Sequence, residues 1–113
     1  MPDTTTTIER LKESVRRFAA ERAWEPFHSP KNLAMALAAE AGELLEPFLW
    51  LEPEASRHLT ADAAKREAVA DELADVAILL LNLSLSLGVD LSDAIAVKMR
   101  KNAVKYPPGR SGV

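Results

Sequence analysis

The sequence predicts an all-α fold: an antiparallel bundle of about four helices, completed by association of identical chains into a homodimer or homotetramer. Three observations carry that expectation. No stretch alternates apolar and polar residues with the period of two that marks a half-buried strand. Apolar residues recur instead at three- and four-residue intervals, between short loops punctuated by Pro26, Pro30, Pro53 and Pro107. Residues 76–87 are apolar almost all round apart from Asn82, Ser84 and Ser86, as in a helix covered on most sides. Four helices from a chain of 113 residues would struggle to surround it, so a second copy is expected to, the alternative being a tight monomeric bundle.

The elements follow in order. A first helix is expected over about residues 7–23, where Ile8, Leu11, Val15 and Phe18 recur at helical intervals and Thr6 and Glu9 have capping-box spacing. Residues 24–30 read as a loop. Ser29 and Pro30 suit the N-cap and first turn of a second helix, which is expected to reach about Trp50 with a kink near Pro47. Residues 51–59 read as a loop. A third helix is expected to be capped by Thr60, to carry Asp62 in its first turn, and to stop near Leu87 against Gly88. Asp90 can cap a fourth, which ends before Pro107 and Pro108. Residues 109–113 read as a loose tail. The whole of 1–113 is read as one domain with an ordered core over about residues 7–107.

Composition excludes several kinds of chemistry. With no cysteine, disulfides, zinc–thiolate sites and thiol catalysis are ruled out. A net charge of −3 argues against a nucleic-acid-coating surface, which is normally basic. No apolar run approaches the ~20 residues needed to span a bilayer, and the first ten residues lack the basic-then-apolar pattern of a leader. The expectation is a cytoplasmic protein with no nucleic-acid or membrane partner.

Two carboxylate pairs stand out. Glu40 and Glu43 lie in AAEAGEL (residues 38–44), and Glu72 and Asp75 in DELADV (residues 71–76). Each pair is spaced i, i+3, so both members project from one helical face, and each lies among apolar or small residues. Ala39, Gly42 and Ala74 are expected to permit close approach of another backbone. Gathered carboxylates repel unless a cation neutralises them, and an all-oxygen set favours Mg²⁺, with Mn²⁺ as a substitute. The arrangement suits a metal–triphosphate complex. A di-iron bundle needs Glu-x-x-His motifs, and neither His28 nor His58 follows a Glu by three residues. Glu46 continues the first face as a further ligand, a base, or an exposed helix-end residue.

Cations and stacking surfaces follow. Lys98, Asn102 and Lys105 share a stripe on the fourth helix, followed by Tyr106, and can balance phosphate charge and hydrogen-bond a sugar. Lysines in a last turn also complement the helix dipole. Trp24 and Trp50 sit at helix–loop junctions, with Phe27, His28, Lys31 and Asn32 flanking the first loop. Such tryptophans either pack at the core edge or stack on a base.

The combination resembles the MazG-like all-α nucleotide pyrophosphohydrolases, and within them the dCTP pyrophosphatase branch. FAAERAWEPFHSPKNL (residues 18–33) is similar to that branch's N-terminal signature. AEAGEL (39–44) with FLW (48–50) resembles its first metal segment, ELADV (72–76) its second, and VDL (89–91) with KMRKNAVKYP (98–107) its last helix. The resemblance implies that Glu40, Glu43, Glu72 and Asp75 bind magnesium and carry catalysis. It implies that Trp24, His28 and Trp50 line a nucleotide pocket, and that Lys98, Asn102 and Tyr106 hold phosphates and sugar. It also implies sites built between subunits and a house-cleaning role, converting dCTP or a modified dCTP to monophosphate and pyrophosphate. Val15 stands where the branch has a histidine and Leu79 where it has a tyrosine, which leaves the preferred base and sugar open. The alternatives are a same-fold hydrolase of dUTP or other triphosphates, and a non-catalytic helical association module.

Overall fold

The computed structural model of the chain describes residues 1–109. Residues 110–113, and with them most of the expected tail, lie outside the described residues. Five helices and no strand are present among those described: α1 (Ile8–Glu21), α2 (Pro30–Leu45), α3 (Pro53–Ser56), α4 (Ala63–Leu87) and α5 (Leu91–Lys105). The expected third and fourth helices are therefore α4 and α5, and α3 is a single turn inside the expected loop, started by Pro53 in its first turn.

The helix ends show where local chemistry decided between neighbours. Thr7, not Thr6, caps α1, its hydroxyl accepting from the Arg10 N–H at 3.1 Å. Ser29 caps α2 as expected, accepting from the Asn32 N–H at 3.1 Å. That helix ends at Leu45 rather than continuing to Trp50, because Pro47 has no N–H to donate and its ring crowds the preceding turn. Residues Glu46–Phe48 tighten into a 3₁₀ turn. Asp62, not Thr60, caps α4, with its carboxylate accepting from the Lys65 N–H at 2.9 Å. Thr60 is taken up by a 3₁₀ turn over Leu59–Ala61. Asp90 caps α5, accepting from Asp93 N–H at 2.9 Å.

Two helices end in the same six-residue motif with different residues at its left-handed position. After α4, Gly88 has φ 64° and Val89 N–H donates to Ser84 C=O at 2.9 Å. After α1, Ala23 has φ 54° and Trp24 N–H donates to Ala19 C=O at 3.0 Å. A side chain in that region costs about 1–2 kcal/mol relative to glycine. The strained corner delivers Trp24 against Phe18, ring centroids 5.6 Å apart.

The core is thin. It is centred on α2 against α4, with α1 and the turn at Leu59 completing it. Ala19, Leu33, Leu59, Val69 and Leu81 are its buried apolar residues. The chain exposes 8879 Å², against about 6,100 Å² for a folded monomer of this mass. Its radius of gyration is 16.6 Å, against about 13 Å for a compact chain of this length. Large apolar side chains contribute to it. On α4, Leu73, Leu80 and Leu87 recur every seven residues and all are exposed, the repeat of a helix–helix seam. Helix α5 leaves the Gly88 corner at 99° to α4 and buries no residue. No single helix among the described residues is long and apolar enough to cross a membrane.

Candidate metal centre and adjoining cleft

Glu40 and Glu43 stand one turn apart on α2, and Glu72 and Asp75 one turn apart on α4. Packing of those two helices brings carboxylate oxygens of Glu40, Glu43 and Glu72 within 4.8 Å of one another. Asp75 is exposed but close enough to repel Glu40. The Oε2 atoms of Glu40 and Glu72 are shut off from solvent and have no hydrogen-bond partner.

The electrostatics follow from that geometry. Glu40 is pushed up to about 7 by loss of solvent, then by hydrogen bonding to Glu43, then by the charges of Glu43, Asp75 and Glu72. A carboxyl pushed up by burial first and by its acidic neighbours next, with one orphaned oxygen of its own and another on Glu72, is the condition a cation relieves. The cluster could hold a metal ion, and its all-oxygen donors suit a hard one. Within this chain no neighbouring backbone closes on the small residues. A Cβ built on Gly42 would meet nothing within 4 Å, and Ala39 and Ala74 are exposed. In one chain they leave open space beside the acids.

The aromatic candidates divide. Trp24 lies beside His28, ring centroids 6.2 Å apart, and Arg22 stacks on the Phe18 ring at 3.4 Å from its centroid. Half-buried His28 lines a cleft of about 240 Å³ with Arg16, Glu25, Asn82 and Ser86. The cleft adjoins the second half of α4, while Glu40 and Glu43 reach the first half. Helices α2 and α4 are therefore antiparallel, as a bundle requires. Trp50 is 91% exposed beyond the 3₁₀ turn that ends α2, and Lys31 is exposed in the first turn of α2. A larger groove, about 800 Å³ between the start of α1 and the start of α5, is lined by none of the predicted site residues.

Lys98, Asn102 and Lys105 all lie on α5, with Tyr106 at its C-terminal cap. Helix α5 is nearly free of the rest of the chain, so one copy does not gather these residues around the acids. Lys105 instead sits 5.3 Å from the ring of Tyr106. Glu46, the further candidate, is exposed at the α2 C-cap. Three cleft residues were not singled out from the sequence: Arg16, Glu25 and Asn82. For Asn82 a signal existed, because residues 72, 75, 79 and 82 share one stripe of a helix.

Comparisons with known proteins place the chain among relatives of the same fold. The model of the MazG-like family matches residues 35–111. The chain is 41% identical over 101 residues to dCTP pyrophosphatase 1 of Bos taurus and of Homo sapiens, an alignment covering 89% of this chain. It spans only 60% of the bovine protein and 59% of the human one. The crystal structure of a pyrophosphatase from Archaeoglobus fulgidus superposes with a TM-score of 0.80 at 35% identity, covering 95% of this chain and 98% of that one.

Proposed function

This chain belongs to the MazG-like family, and from that premise we propose that it is a magnesium-dependent nucleotide pyrophosphohydrolase. Its substrate would be a nucleoside triphosphate, dCTP or a modified dCTP first, cut to monophosphate and pyrophosphate. The observation that carries the reading is the carboxylate cluster. Three carboxylates within 4.8 Å, two with orphaned oxygens, lie on the helices of a fold shared with a pyrophosphatase.

Glu40, Glu43, Glu72 and Asp75 would hold Mg²⁺, with Mn²⁺ as a substitute. Bound there, the ion would neutralise the acids, draw in the triphosphate oxygens and acidify a nearby water. The chain's own residues do the rest. Exposed Glu43 or Glu46 takes a proton from the water that attacks the α-phosphorus. Trp24 stacks on the base, with Trp50 closing over it once a second copy covers its exposed ring. Lys98, Asn102, Lys105 and Tyr106 meet phosphates and sugar from the α5 of a second copy, and Lys31 borders the entrance. The exposed Leu73, Leu80 and Leu87 seam and the bare arm of α5 support that association.

The test is pyrophosphate release by purified protein with Mg²⁺ and a panel of deoxynucleoside and nucleoside triphosphates. Release from at least one is expected, together with its loss in Glu40→Gln at unchanged helical content. No release from any triphosphate defeats the reading.

A further inference from the structure

Resting on the nucleotide reading above, we infer that Asn82 and Glu25 form the base-reading end of the site. Together they select a nucleobase that presents an amino group beside a ring-nitrogen acceptor, as cytosine does.

Position comes first. Asn82 continues the stripe of Glu72, Asp75 and Leu79, and lies about 10 Å beyond Asp75 along α4. That is far enough for a base when the phosphates sit at the acids. The cleft it lines, with His28 and Glu25 from the loop before α2, opens beside Trp24.

Chemistry comes second. Asn82 is a half-buried amide in the apolar segment of α4. Among the described residues its side chain makes no hydrogen bond. Ser84, two residues on, satisfies its own hydroxyl on Leu81 C=O at 2.8 Å. Its amide lines the cleft with donor and acceptor both unpartnered, so the pair is available there to a ligand. Asn is suited to reading a base edge bidentately.

An amide alone can rotate to suit an amino or a keto edge. Glu25 removes that ambiguity. Across the cleft, the Arg16 fork is already taken by Glu13, at 2.6 and 3.1 Å. Glu13, and Glu25 through space, hold the Arg16 proton more firmly than usual. Glu25 makes no ion pair among the described residues. Its carboxylate accepts only, so it welcomes the amino group of cytosine and repels the keto oxygen that uracil and thymine place there.

The experiment measures calorimetric binding, with Mg²⁺, of nonhydrolysable deoxycytidine and deoxyuridine triphosphate analogues and of inorganic tripolyphosphate. The proteins are the unaltered chain, Asn82→Ala and Glu25→Gln, with pyrophosphate release followed in parallel. Asn82→Ala is expected to weaken the cytidine analogue about tenfold to a hundredfold, with tripolyphosphate affinity unchanged. Glu25→Gln is expected to bring the two analogues toward equal affinity. Unchanged analogue ratios in both variants, or an equal loss for tripolyphosphate, overturn the inference while leaving the hydrolase reading in place. Failure of the unaltered chain to bind either analogue overturns both.

Discussion

The acidic and basic halves of the proposed site are built in opposite ways. The acids sit where α2 and α4 pack against each other, so folding of a single chain gathers them. The basic and polar group sits on α5, which buries nothing and leaves α4 at 99°. One half is made by the fold and the other is merely carried by it. In the proposed site the charge that offsets the acids would come from a cation, from a second copy, or from both.

The sharpest way to break that comparison is to inactivate each half separately. Glu40→Gln should lower pyrophosphate release about a thousandfold, the several kcal/mol typical of metal chemistry. Lys98→Ala should lower it about a hundredfold, as for loss of one charge-stabilising donor. Co-expressed, the two variants should recover about a quarter of full activity if a twofold dimer pairs the acids of one copy with α5 of the other. Mixtures no more active than their parents would show that each chain completes its own site.

A smaller effect separates the halves by pH. Glu40 is raised above its unfolded value of 4.5 to about 7 by desolvation and by its acidic neighbours. The folded metal-free chain therefore prefers Glu40 protonated. That contribution is complete below about pH 4.5 and is lost as pH rises through about 7. With chelator present, the melting temperature should fall between pH 5.5 and pH 8, and Mg²⁺ should remove the fall. A melting temperature with the same pH dependence with and without Mg²⁺ would break the assignment of the cluster as a cation site. Variants of α5 should leave the chelated profile unchanged.

The smallest effect lies at the two corners. Ala23→Gly should stabilise the packed half by about 1 kcal/mol, and Gly88→Ala should cost about as much where α5 departs, since both positions are left-handed. Neither change is opposed by crowding at residue 88, where a Cβ would meet nothing within 4 Å. Urea titration reads both, and a neutral result at either corner would mean that the chain relaxes there.

Much of this was legible from local signals. Ser29 with Pro30, Gly88 and Asp90 mark helix ends through chemistry confined to one turn, and they stand where that chemistry puts them. Thr60 lost to Asp62 because Thr60 is itself taken up in the 3₁₀ turn over Leu59–Ala61, which depends on how Leu59 packs. Pro47 was read as a kink and proved a stop, because it has no N–H to donate and its ring crowds the preceding turn. The i, i+3 acids were legible because both members of each pair share one helix. Their meeting across α2 and α4 was legible only as an expectation. Asn82 was passed over as an exception in an apolar stretch, although its place on the Glu72 stripe was a visible clue. The course of α5, leaving α4 at 99° with no residue buried, could not be read at all, because spacing along a chain is silent about the angle at which one helix leaves another.

The corner at Gly88 has one further consequence. Helix α5 is 15 residues long, about 22 Å from base to tip, so a 10° turn at the corner would sweep Tyr106 through about 4 Å. A single backbone position, steadied by Lys12 reaching the Val89 carbonyl at 2.9 Å, thus works as the fulcrum of a lever. Under the proposed pairing of two copies, its setting would decide whether the tip of one chain reaches the acids of the other.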